Sequence, residues 1–251
     1  LTLNDFQDQE PDPEDLTPKT RLRQPRAAMT DTALQTLELD PGTTPRATVV
    51  ILHGLGADGT DFLPVADELK LHAVGPVRYL FPRAPVRPVS INGGAPMRAW
   101  YDIRDADLAR REDETGLRQS MVLVQRLVER EVARGMPARR IVLAGFSQGC
   151  AIALGAGLRH PERLAGLAGL SGYVPLADTT AAERHAANHD TPVFLAHGRG
   201  DGVVPLTRGA AGRDLLQSLG QPVEWHDYAM EHSVCMEEVQ ALNRWLLQVL
   251  A

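Results

Sequence analysis

Ile141-Val-Leu-Ala-Gly-Phe-Ser147-Gln-Gly-Cys-Ala-Ile-Ala-Leu154 is the stretch that decides the fold. Its opening residues are a continuous aliphatic run of the kind found in strands buried on both faces. Gly145-Phe-Ser147-Gln-Gly149 interrupts that run, and an apolar helical segment begins at once. Glycines on either side of the serine let strand and helix backbones pass where a Cβ would not fit. A turn of this kind, a nucleophile elbow, lifts the serine hydroxyl above the end of the sheet. The chain holds 22 glycines and six serines in 251 residues, so chance supplies only roughly 0.05 matches to the five-residue pattern. The strand before it and the helix after it raise the specificity further, against an ordinary glycine-rich loop.

Working outward, strand and helix patterns alternate. Leu34, Leu37 and Leu39 predict a first strand closed by Asp40-Pro-Gly42, and Ala47–Leu52 predicts a strand buried on both faces. His53-Gly-Leu-Gly-Ala-Asp-Gly59 follows, then an amphipathic helix carrying Phe62, Val65, Ala66 and Leu69. Further strands are predicted at 77–81, 164–170, 192–196 and 222–228, and helices at 117–133, 206–219 and 234–250. Residues 82–105, with four prolines and Gly93-Gly94, read as one long irregular loop, and such loops in compact domains are usually functional. The alternation predicts an open, mostly parallel α/β sheet with helices on both faces.

Composition narrows the function classes. A net charge of -6 argues against nucleic acid or an anionic membrane as main partner. Cys150 and Cys235 are far apart and form no CxxC, against a disulfide scaffold or a cysteine-rich metal site. Apolar runs are too short and broken for a transmembrane helix. Residues 1–28 are acidic, then basic, and proline-rich, with no apolar core of a secretory signal. They are expected to be an extension without catalytic role, Met29 marking a candidate native start, with 29–251 forming a single domain. Lys19 and Lys70 are the only lysines among 26 basic residues, a bias that suggests a GC-rich bacterial gene.

A serine hydroxyl is a weak nucleophile unless a histidine takes its proton and a carboxylate orients that histidine. After such an elbow the partners come in the order acid, then histidine, from loops at the C-terminal ends of strands. His226 falls inside a predicted strand, whereas His232 occupies the loop after it, which favours His232. Asp201 follows the predicted strand 192–196 in a glycine-rich turn. Asp190 precedes that strand, Asp214 lies mid-helix and Asp227 in a strand, so Asp201 alone satisfies order and placement. The oxyanion of a tetrahedral intermediate needs two N–H donors, each worth about 2.7–4 kcal/mol when well placed. Gln148 N–H, at the start of the elbow helix, is one candidate, and Leu55 N–H in the His53 turn the other. A phosphate-binding role for residues 53–59 lacks both the Walker lysine and the G-x-G-x-x-G spacing. His53, His197 and His232 match no metal-ligand spacing, and no metal or cofactor is expected.

These residues resemble a known family, the carboxylesterase/acyl-protein thioesterase (phospholipase/carboxylesterase) group of α/β-hydrolases. The resemblance spans about residues 47–248 and rests on the following segments, in that order: His53–Gly59, Arg83-Ala-Pro, Asn92-Gly-Gly94, Met97–Ile103, Gly145–Gly149, Leu170–Pro175, His197–Asp201 with Val204-Pro205, and Met230–Cys235. It implies an α/β-hydrolase fold without a large cap domain, a Ser147, Asp201, His232 triad, and Leu55 and Gln148 as oxyanion donors. It also implies that loop 83–103 walls an acyl-binding groove, with Met97, Trp100 and Phe146 as lining candidates. The chain departs from the pattern in its N-terminal extension, in Cys150 where glycine is usual, and in Gly202 where the turn often carries proline.

The expected function is a serine carboxylesterase acting on short- to medium-chain esters through an acyl-enzyme. The substrate is expected to be a small-molecule ester, and the protein a cytoplasmic monomer or homodimer. Thioesterase or lysophospholipase activity on the same residues, a catalytically silent binding relative, and weakly a peptidase, are the rivals.

Overall fold

Runs of aliphatic residues make the inner strands and shorter mixed ones the edges. The computed structural model describes residues 34–105 and 112–251, and the backbone of residues 21–23. In chain order its strands are β1 (Arg21–Arg23), β2 (Thr36–Asp40), β3 (Ala47–Leu52), β4 (Val77–Pro82), β5 (Val86–Val89), β6 (Ala95–Arg98), β7 (Ile141–Phe146), β8 (Gly166–Leu170), β9 (Val193–Gly198) and β10 (Val223–Tyr228). The helices are α1 (Leu63–Glu68), α2 (Glu114–Ala133), α3 (Gln148–Leu158), α4 (Ala177–Glu183), α5 (Leu206–Ser218) and α6 (Met236–Val249).

The main sheet has the order β1-β2-β4-β3-β7-β8-β9-β10. Strands β4 through β10 in that order run parallel, and β2 and β1 add an antiparallel edge. Every residue of β3, β7, β8 and β9 is buried, as strands covered by helices on both faces require. Alternation along the strands sorts the core into two halves. Val50, Leu52 and Leu143 pack with Met121 and Val124 of α2 and Ile152 of α3, while Val49, Ile51 and Val142 pack on the other face with Val65 of α1 and Trp245 of α6.

This order positions the site. From β3 the chain goes outward to β4 and then returns to place β7 on the other side of β3, so the winding reverses between β3 and β7. Loops leaving the C-terminal ends of two such strands diverge and open a crevice. Here they are the His53–Gly59 turn and the Ser147 elbow.

Two expectations change. Residues 82–105 are not one irregular loop: β5 and β6 pair as a two-stranded antiparallel sheet, Val86 opposite Arg98 and Val89 opposite Ala95. Pro88 and Pro96 sit opposite each other in this hairpin, where a missing N–H is tolerated because there is no further strand to pair. Its turn needs Gly93 and Gly94, at φ 66° and 79°. The second change concerns the N-terminal extension: β1 lies inside it, pairing Leu22 with Leu39 of β2, so part of the extension forms the edge of the sheet. The remainder of residues 1–28 lies outside the described residues.

Candidate active site

Ser147 is the single residue between β7 and α3, at φ 56° and ψ -118°. A non-glycine residue there costs of the order of 1–3 kcal/mol, held in place by its surroundings. Those surroundings are tight. A Cβ on Gly145 would overlap the Gly149 carbonyl, and one on Gly149 would overlap the Leu52 carbonyl of β3. Ser147 N–H donates to Leu170 O at 2.9 Å, tying the elbow to β8.

The Ser147 hydroxyl donates to His232 Nε2 at 2.9 Å, and His232 Nδ1–H donates to Asp201 Oδ2 at 2.7 Å. A carboxylate can only accept, so the carboxylate on Nδ1 leaves Nε2 free to take a proton. Asp201 is itself fixed: its Oδ1 accepts from Val203 N–H at 2.9 Å and Val204 N–H at 2.8 Å. The His232 loop is fixed by backbone packing, since Gly200 N–H donates to Met230 O at 3.0 Å and a Cβ on Gly198 would overlap Met230 O. An imidazole between a serine hydroxyl and a held carboxylate can act as general base and then as general acid.

The other histidines of the strand ends have separate tasks. His53 Nδ1–H donates to Gly54 O at 2.7 Å while Nε2 accepts from Ala84 N–H at 3.0 Å, so the ring splices the His53 turn to the end of β4. His197 Nε2–H donates to Val204 O at 2.8 Å, closing the turn that holds Asp201. Burial pushes both rings' pKa down, favouring the neutral form these bonds require. Among the described residues no group of three His, Cys, Asp or Glu is arranged to hold a metal ion. His226 faces outward on β10 with Glu224 Oε1 at 2.7 Å, and Asp227 pairs with Arg199 at 2.6 Å.

Leu55 lies on the loop that leaves β3, and Gln148 follows the Ser147 elbow that leaves β7. A Cβ on Gly54 would sit 3.4 Å from the Ser147 Cβ, which shows how closely these loops abut. Gln148 is the first residue of α3, where backbone N–H groups have no acceptor within the helix. The Leu55 turn is braced from the hairpin: Gly56 N–H donates to Arg98 O at 2.8 Å, and Asp58 receives Arg83 at 3.0 Å and Arg98 at 3.2 Å.

Of the expected groove residues, Met97 alone is partly exposed, its sulfur facing Gly56. Phe146 is buried and packs its ring on the His232 imidazole, centroids 4.8 Å apart. Trp100 corrects its expectation: it is fully buried, and its indole N–H donates to His53 O at 2.9 Å, so it presents no surface to a ligand. No local pattern flags this: Ala99, Trp100 and Tyr101 follow β6 and are all buried, so no alternation marks the inward residue. Also missed was the Gln148 side chain, whose Oε1 accepts from Trp100 N–H at 3.0 Å and whose Nε2–H donates to Tyr101 O at 2.9 Å. Cys150 fits the elbow as expected; it is buried and its thiol is pushed up to about 12 by desolvation. Gly202 has open space around its Cβ position, so this departure costs nothing sterically.

Comparison with known proteins agrees with this architecture. The phospholipase/carboxylesterase family model matches residues 39–250. The chain belongs to this family. Acyl-protein thioesterase 1 of Yarrowia lipolytica is 40% identical over 205 residues, covering 80% of this chain and 90% of that protein. Among solved structures, Zea mays acyl-protein thioesterase 2 has a TM-score of 0.77 at 31% identity, covering 86% of this chain and 99% of that one. Arabidopsis thaliana SOBER1 has a TM-score of 0.78 at 29% identity, covering 82% and 99%. This phospholipase/carboxylesterase family member is therefore a serine hydrolase of the α/β-hydrolase fold. The curated relatives are mostly fungal thioesterases, so the bacterial source suggested by arginine usage finds no support. No helix among the described residues is long and apolar enough to cross a membrane.

Proposed function

We propose that this hydrolase cleaves carboxylic esters with short- to medium-chain acyl groups through a Ser147 acyl-enzyme. Ser147 Oγ attacks the carbonyl carbon as His232 Nε2 takes its proton. Asp201 holds Nδ1–H and stabilises the imidazolium that forms. The tetrahedral oxyanion lies between Leu55 N–H and Gln148 N–H. Its collapse expels the alcohol, which leaves with the proton from His232. Water then repeats the sequence, activated by the same histidine, and releases the acid.

The observation that carries this reading is the unbroken hydrogen-bond chain from Ser147 through His232 to Asp201, at 2.9 and 2.7 Å. An intact chain of this kind also argues against a silent binding role. The β5–β6 hairpin lies beside the Leu55 turn, with the partly exposed Met97 placed against Gly56 as the candidate contact for the acyl group. A second reading, thioester cleavage on the same residues, is favoured by the names of the thioesterase relatives. Matched oxygen and thiol esters of acyl chains from acetyl to dodecanoyl separate the two. Higher kcat/KM on oxygen esters, peaking at butyrate to octanoate, is expected; a uniform thioester preference or a peak at dodecanoyl overturns the ester assignment.

A further inference from the structure

We propose that Trp100, gripped by the Gln148 side chain, is a positioning residue that sets the separation of the two oxyanion donors. The inference rests on the assignment of Leu55 and Gln148 N–H as those donors. The two arise from different strand ends, β3 and β7, which pair up to Leu52 opposite Gly145 and then pass into loops that need a further tie to hold the donors in one relative position. Trp100 bonds to both loops. Its indole N–H donates to His53 O, two residues before Leu55, and its backbone N–H donates to the side chain of Gln148 itself.

The link is built to be stiff. Gln148 uses both ends of its amide on consecutive residues, accepting from Trp100 N–H at 3.0 Å and donating to Tyr101 O at 2.9 Å. The Trp100 carbonyl is engaged as well, by the Ser120 hydroxyl of α2. The His53 and Trp100 rings pack at 5.5 Å between centroids. Trp100, His53 and Ser120 are fully buried and Gln148 nearly so, so water does not compete for these bonds. Each partner lost leaves a buried carbonyl or N–H unsatisfied, so the network holds one arrangement. Oxyanion donors act only when aimed at the position the charged oxygen will occupy, and a misplacement of about 1 Å can cost of the order of a hundredfold in rate.

The chemistry also separates this role from mere support of the fold. A thionoester places sulfur where the ester carbonyl oxygen sits; sulfur accepts hydrogen bonds poorly, so its turnover draws little on the oxyanion donors. The ratio of ester to thionoester kcat therefore reports the donors, and the fraction of folded enzyme cancels from it. The variants are Trp100→Phe, which removes the indole N–H, and Gln148→Met, which keeps the Gln148 backbone N–H and removes the grip. Fluorophosphonate titration counts competent serines in each. Both variants are expected to lose about tenfold in ester kcat with KM within about twofold, and their ester-to-thionoester ratio to shrink by a similar factor. The pH profile of kcat/KM, set by the histidine, should stay in place. An unchanged ratio in both variants overturns the proposal whatever activity they lose. Gln148→Met keeps the test decisive if Trp100→Phe fails to fold. A wild-type ratio near one, or a wild-type serine that fluorophosphonate does not label, sinks the underlying donor assignment and this inference with it.

Discussion

The elbow side of the crevice and the hairpin side are built on opposite principles. Around Ser147, Gly145, Gly149 and Gly198 mark points where one backbone lies against another, and a single methyl group has nowhere to go. Across from it, β5 and β6 form a two-stranded ribbon with exposed residues on both strands and in its turn, Val86 at 63% and Ile91 at 47%. The hydrogen-bonded Ser147, His232 and Asp201 sit where the backbone has no slack, and the hairpin proposed to meet the acyl group is where side chains can change without disturbing the sheet. The hairpin is nevertheless not independent of the chemistry: Arg98 reaches back to Gly56 and Asp58 and braces the Leu55 turn.

The largest effect is expected from the elbow. Ser147→Ala should lower kcat on p-nitrophenyl butyrate by at least about 10⁴-fold while leaving the melting temperature unchanged or raised, since alanine removes only the hydroxyl. Activity within tenfold of wild type would end the assignment of Ser147 as nucleophile. Gly198→Ala tests the lack of slack directly. The new methyl must displace the Met230 and Glu231 carbonyls that precede His232. A destabilisation of more than about 2 kcal/mol together with a roughly hundredfold loss of kcat is expected in denaturation and steady-state assays. A neutral result would mean that the His232 loop is softer than its packing suggests.

The elbow side also carries one stability cost, which pH exposes. Glu238 is fully buried in the first turn of α6, just after the His232 loop, and burial raises its carboxyl from 4.5 to about 8. The unfolded chain gives up this proton near pH 4.5 and the folded chain keeps it until about pH 8. Stability should therefore fall as pH rises between those values, by up to roughly 1.4 kcal/mol per pH unit, and level off outside them. Chemical denaturation from pH 4 to 9 should show that slope in wild type and a flatter one in Glu238→Gln; equal slopes would place the proton elsewhere. On the hairpin side, Met97→Ala should shift the preferred acyl length with a change in relative kcat/KM of about tenfold or less, and without a change in the pH profile. Smallest of all, Val86→Thr should alter stability by no more than about 0.5 kcal/mol. A larger loss would show that the hairpin is held as firmly as the elbow.

Much of this was legible in order along the chain. Buried parallel strands announce themselves as runs dominated by apolar residues, so β3, β4, β7 and β9 were readable, and the glycines of the elbow carry their steric reason in the motif itself. Asp201 and His232 were legible because the elbow fixes their order and their place after strands. The hairpin was not, because a two-stranded ribbon has no buried face to impose alternation and its prolines imitate a loop. Nor was the edge strand β1, whose three residues gain meaning only opposite Leu39. Trp100 was misplaced for a similar reason: an aromatic residue in a loop looks like a ligand wall until its neighbours are known.

What the sequence by itself determined is the chemistry. Serine, carboxylate and histidine in that order, with the serine inside Gly-x-Ser-x-Gly, suit one kind of reaction because each residue type supplies one proton-transfer or bonding role. What only the tertiary structure decided is how the two halves of the site are held together. His53 lies 94 residues before Ser147, and the bonds that join their loops run through Trp100 and a glutamine side chain. Local preference dictates each loop, but the distance between loops is set by the packing of residues remote in sequence. With Leu55 and Gln148 as the proposed oxyanion donors, that distance is what the Trp100 and Gln148 variants test.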